Sequence, residues 1–122
     1  MSTVISPEDR RRARRLIAGV YGLLNSGEWQ LRYAWIGEDH RLRDRLPGIT
    51  ANTVGYCDPA EQVLYVDYHH DVLATIVHEC LHALYPDKNE TEVRELECLV
   101  MRCMSPCQAR RLHRIAAEAL SA

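Results

Sequence analysis

The chain contains no apolar stretch approaching the roughly 20 residues needed to cross a bilayer, and its N-terminus turns charged at Glu8 before a signal-peptide core can form. Membrane insertion and export are therefore not expected; a cytoplasmic location is. Neither charge is in excess: 15 basic and 17 acidic side chains leave a formal −2, so nothing global draws the protein to nucleic acid or a membrane surface. Cysteine is present without a pattern. Cys57, Cys80, Cys98, Cys103 and Cys107 are odd in number, lie mostly in helix-forming segments and include no Cys-x2-Cys pair. That argues against a disulfide framework and against a cysteine metal cluster, and leaves most of these thiols as small buried hydrophobes. With 122 residues, 47% of them hydrophobic, the length suits one core and not two ordinary domains, so residues 1–122 are expected to form a single domain.

What stands out against these absences is the run Thr75-Ile76-Val77-His78-Glu79-Cys80-Leu81-His82-Ala83-Leu84. It places His-Glu-x-x-His in an uncharged, helix-compatible stretch. Two histidines four residues apart leave one face of a helix together, close enough for both imidazoles to bind one Zn²⁺, while the intervening glutamate can reach a metal-bound water. The helix is expected from about Asp71 to Tyr85, where Pro86 stops it. At about 100° per residue, Leu73, Ile76, Cys80, Ala83 and Leu84 gather on the core side, His78 and His82 lie opposite, and Glu79 falls near the boundary.

The surroundings supply the rest of a domain. Ser6 as N-cap, Pro7, Asp9 and a stop at Gly27 frame a first helix, with Ala13, Leu16, Ile17, Val20, Leu23 and Leu24 inward and Arg11, Arg12, Arg14 and Arg15 outward. These arginines can contact an acidic partner or nucleic acid; a solvated helix face is the plainer reading. From Glu28 to Asp67, short aromatic and β-branched segments are punctuated by Gly37, Pro47-Gly48, Gly55 and Asp58-Pro59. Strands are expected at Trp29–Ile36, with Trp29, Leu31, Tyr33 and Trp35 on one side, and at Thr53–Cys57 and Gln62–Asp67, the last two joined as an antiparallel hairpin. The charged segment His40–Leu46 reads as loop or a poorly paired strand. A final helix should run from Ser105-Pro106 through Ala119, with Leu112, Ile115, Ala116 and Ala119 inward.

A catalytic zinc site takes a third protein ligand, and the helix after the motif is the place to seek it. Asn89 is its N-cap, and Val93, Leu96, Leu99, Val100, Cys103 and Met104 form its apolar stripe. Of its glutamates, Glu92 lies only about 50° from the centre of that stripe, whereas Glu90, Glu95 and Glu97 lie about 90° to 110° away. Glu92 is thus the expected ligand and Glu95 the reserve. Glu92 also sits three residues after Asn89, where a capping box would claim its side chain.

The elements TIVHECLHAL, the preceding strand QVLYVD and the later ETEVRELECLVMRCMSP resemble the gluzincin zinc metallopeptidases, above all the minigluzincins and the ImmA/IrrE-like peptidases. The likeness covers approximately residues 46–106 and is strongest at 75–84. It implies an α+β zincin-like minimal domain: an N-terminal helix, a small, mostly antiparallel sheet, the motif helix, a glutamate-bearing helix and a C-terminal helix. It implies His78, His82 and Glu92 as zinc ligands and Glu79 as general base. Val93 and Arg94 depart from the small residue and Asn or Asp that usually follow the glutamate ligand in the ImmA/IrrE-like pattern. The metzincin pattern is absent, because Tyr85 and Lys88 stand where Gly and His would be needed. The third histidine of SprT-like proteins has no counterpart except the distant His113.

The expected activity is zinc-dependent hydrolysis of a peptide or protein substrate. The strand Val63–Asp67 is the expected edge for strand addition, and Tyr65, Tyr68, His69 or His70 are possible oxyanion donors. The alternative is a catalytically silent zinc module that contacts a protein or nucleic acid through its arginine-bearing helices.

Overall fold

The computed structural model describes residues 5–46, 48–50 and 52–120; Pro47 of the Pro47-Gly48 turn lies outside them. The order is α1 (Pro7–Asn25), β1 (Gln30–Ala34), α2 (His40–Arg45), β2 (Gly55–Asp58), β3 (Val63–Asp67), α3 (Val72–Leu84), α4 (Glu90–Cys103) and α5 (Pro106–Ala119). The architecture is the expected α+β. The ends follow from local chemistry: Ser6, Asp71, Asn89 and Ser105 each accept a backbone N–H from their own helix's first turn, and α1 and α5 open on proline. Among the described residues no helix is long and apolar enough to cross a membrane.

The sheet has three strands in the order β1-β3-β2. β2 and β3 form the antiparallel hairpin, with Gly55 opposite Val66 and Asp58 opposite Val63. β1 pairs with β3 in parallel, from Gln30 against Val63 to Ala34 against Asp67. The sheet is therefore mixed rather than mostly antiparallel. The long segment between β1 and β2 is the reason: it can carry the chain across the sheet, as a parallel pairing requires.

That connector contains the one helix the sequence pattern did not announce. Asp39 caps α2, and Leu42 and Leu46, one helical turn apart, bury themselves against Ile36, Ile49, Val63 and Tyr65 on the outer face of the sheet. Arg45 Nη2 donates to Tyr65 Oη at 2.8 Å, so charge on this short helix is spent at its rim. On the inner face, Leu31, Leu64 and Val66 meet α1, α3, α4 and α5 in the larger core, which includes Val20, Ile76, Val77, Leu81, Val93, Val100 and Leu112. Each such side chain contributes about 1.5–3 kcal/mol by leaving water. β3 is buried along its whole length because helices cover both faces. On β1 the expected one-sided alternation does not hold: Leu31 is buried, whereas Tyr33 and Trp35 are 43% and 51% exposed.

α3 is the element around which the rest is arranged. It packs on α1, α4, β2 and β3, and Thr75, Ile76, Val77, Glu79, Cys80 and Leu81 are all buried. What remains open is the stripe bearing His78 and His82.

Candidate metal centre

The stripe of His78 and His82 faces a cleft of about 650 Å³ between α3, the N-terminal half of α4 and β2. The third group of this centre is Glu90. One of its carboxylate oxygens lies 2.8 Å from His78 Nε2 and the other 2.8 Å from His82 Nε2. Ligand atoms of these three residues lie within 4.8 Å of one another, and no other group of this kind occurs among the described residues. Two imidazole nitrogens and one carboxylate oxygen form a donor set suited to a divalent transition-metal ion, and the three residues together can hold one.

The carboxylate that meets the histidines thus differs from the one expected. Glu92 is exposed and closes the capping box instead: Asn89 N–H donates to Glu92 Oε1 at 3.1 Å, and Glu92 N–H donates to Asn89 Oδ1 at 2.9 Å. Glu95 lines a separate groove with Glu92, Arg12 and Lys88. The reason is geometric. His78 and His82 leave α3 away from the core, so a partner on α4 must stand on its flank rather than at the centre of its apolar stripe. Glu90 and Glu97, seven residues and about 20° apart on a helix, share that flank.

Glu97 shares the flank of Glu90 and reaches the other nitrogen of His78. Its Oε1 lies 2.7 Å from His78 Nδ1. With a metal on Nε2, Glu97 would accept the Nδ1 proton and hold the ring for that ligation, whereas without one Nε2 meets the Glu90 carboxylate through a proton of its own.

Glu79 points to the same cleft from the buried side of α3 and is only 6% exposed. Burial first, then the negative charges of Glu90 and Glu97, push its pKa up to about 8. Glu90 is shifted the other way: burial alone would raise it, but the contacts with His82 and His78 outweigh burial and hold it below the usual carboxylate range. The space for Glu79 depends on Gly55, where a Cβ would stand 2.6 Å from Glu79 Oε2 and 2.6 Å from Thr75 Cγ2. Cys57, two residues along β2, also lines the cleft. Burial, followed by the charges of Glu79 and Asp58, raises its thiol to about 12, so it is no nucleophile at neutral pH.

β3 is paired on both sides and offers no edge; the strand beside the cleft is β2, which lies at the end of the sheet. Tyr65 is buried and held by Arg45, and Tyr68 packs on His69, so neither tyrosine lines the cleft, and nor do His69 and His70. Of the five cysteines, all free, only Cys80 is fully buried, while Cys98 and Cys107 are exposed. His113 is exposed on α5, on an element that does not line the cleft. Compared with protein-family models, with curated proteins and with solved structures, the chain matches none, so the gluzincin resemblance stands on its quoted residues alone.

Proposed function

We propose that this chain is a zinc-dependent peptidase in which His78, His82 and Glu90 hold the ion, Glu97 orients His78, and Glu79 moves the proton. One observation carries the reading: two imidazole Nε2 atoms converge on a single carboxylate at 2.8 Å, beside a second, buried carboxylate on an open cleft. Zinc bound by such a set supplies a lowered water pKa and polarisation of a carbonyl. The protein's own residues then have distinct tasks. Glu79, whose raised pKa a bound cation would bring down, accepts the proton of the attacking water as the new C–O bond forms, and delivers it to the amine nitrogen as the C–N bond breaks. Its poorly hydrated position favours returning that proton. β2, the end strand of the sheet beside the cleft, would receive an extended peptide substrate alongside Glu79 by strand addition.

Metal analysis of the purified protein tests the first half. Wild type should carry one zinc per chain, and His78→Ala and Glu90→Ala should lose it; absence of stoichiometric zinc from the wild type ends the proposal. Glu79→Gln tests the second half. It should retain zinc and lose about 10²–10⁴-fold in peptide hydrolysis. Retained zinc with no hydrolysis by the wild type on any peptide library would instead favour a catalytically silent metal module. The small cleft suits a narrow set of targets, so slow turnover of generic unfolded proteins is expected.

A further inference from the structure

The face opposite in character to the cleft is built by α1 and α5. These two helices run side by side, with Tyr21 Oη donating to Gln108 O at 2.9 Å and Arg111 stacked 4.6 Å over the Tyr21 ring. Together they carry eight arginines against three carboxylates. Since the whole chain stands at −2, the remainder carries −7. The charge balance that the composition reports therefore conceals a separation. All eight arginines are exposed, and among the described residues none has a carboxylate within salt-bridge distance; the one arginine that does is Arg94 on α4.

Helical phase orders them. On α1, Arg10 and Arg14 stand on the flank nearest α5, where they border a small pocket with Gln108, and Arg11 and Arg15 stand outermost. Arg111 continues the band across Tyr21, and Arg110 and Arg114 extend it along α5. Arg12 turns the other way, into the groove that holds Glu92 and Glu95. The arginines occupy roughly 8 Å of α1, from Arg10 to Arg15, and roughly 6 Å of α5, from Arg110 to Arg114.

We propose that this band binds the phosphate backbone of double-stranded DNA without regard to sequence. Guanidinium groups pair with phosphate oxygens in a fork, and their number here matches a run of phosphates rather than a single anion. Packed helix axes lie about 8–10 Å apart and the arginine side chains reach outward from them, so the two rows can straddle the roughly 12 Å major groove of B-form DNA and meet the phosphates on its two sides without either helix entering it, whereas the narrow A-form major groove brings its phosphate rows closer together. Two other occupants fit less well. The exposed large apolar side chains among the described residues are Tyr33, Trp35, Val54, Tyr68 and Tyr85. None lies on α1 or α5, so the band has neither the apolar residues that anchor a helix in a lipid surface nor the aromatic platforms that hold single-stranded bases.

The test is fluorescence anisotropy with a labelled random-sequence DNA duplex, read across a salt series. With about four phosphates neutralised, the affinity should fall roughly 100-fold between 50 and 200 mM salt. Combined Arg11→Ala, Arg15→Ala, Arg110→Ala and Arg114→Ala, which remove only solvent-facing groups, should weaken binding at low salt by at least about 10-fold and flatten the salt dependence. Arg12→Ala, on the other flank, should leave both nearly unchanged. His78→Ala should do the same, because no residue of α1 or α5 lines the metal cleft. No binding by the wild type at low salt, full binding by the fourfold variant, or equal binding to polyglutamate or to anionic lipid vesicles would each overturn the assignment.

Discussion

Two buried carboxylates in this protein sit in opposite circumstances. Asp67, 2% exposed, closes the end of β3: Oδ2 accepts the Ile36 N–H at 3.1 Å, and Oδ1 accepts the His69 N–H at 2.9 Å and lies 3.0 Å from His69 Nδ1. Burial alone would raise its pKa, yet these donors outweigh burial and hold it below the usual carboxylate range. Glu79, 6% exposed, is driven up to about 8 by burial first and then by the charges of Glu90 and Glu97. A buried carboxylate with its donors supplied fastens a fold; one surrounded by like charge is a place where the molecule accommodates a cation or a proton.

The largest effect is expected at Asp67. Asp67→Ala leaves the Ile36 and His69 N–H groups without their acceptor and should cost about 3–5 kcal/mol in urea unfolding. The pH dependence has a definite sign. Because the folded carboxyl titrates below the unfolded one, its stabilisation is complete above the unfolded pKa and is lost as pH falls through the folded pKa. Acidification should therefore destabilise wild type more than Asp67→Asn. Equal acid sensitivity of the two would remove Asp67 from the structural role.

At the other carboxylate, Gly55→Ala should act through geometry. Its Cβ displaces Glu79, and peptide hydrolysis should drop about 100-fold while the zinc content is kept. Unchanged turnover would show that Glu79 does not work from its observed position. Glu97→Gln sharpens the contrast further: with a weaker acceptor on His78 Nδ1, zinc affinity measured by chelator competition should fall about 10- to 100-fold. The smallest effect belongs to Glu92→Ala, which should cost about 1 kcal/mol through the lost cap and leave zinc binding as it was. Loss of zinc there would return Glu92 to the metal.

Much of the fold was legible because its signals are local. Ser6-Pro7, Asp71, Asn89 and Ser105-Pro106 mark helix starts in the letters themselves, and the hairpin of β2 and β3 follows from Asp58-Pro59. The parallel pairing of β1 was not legible, since it depends on a crossover whose direction no short pattern encodes. α2 hid behind its charges, although Asp39, Leu42 and Leu46 carry a cap and a one-turn apolar pair. At the site, the histidines and Glu79 were readable from spacing. The third residue was not: a phase centred on the hydrophobic stripe of α4 favours Glu92, whereas histidines that leave the core of α3 meet only the flank of α4, where Glu90 and Glu97 stand.

Gly55 ties together two parts of the molecule that are otherwise separate. The carboxylate at the base of the cleft and the backbone of β2 stand this close only because residue 55 has no side chain: a Cβ there would lie 2.6 Å from Glu79 Oε2 and 2.6 Å from Thr75 Cγ2. The sheet therefore sets where the acid of α3 can stand, and a change in β2 reaches the centre without touching a histidine.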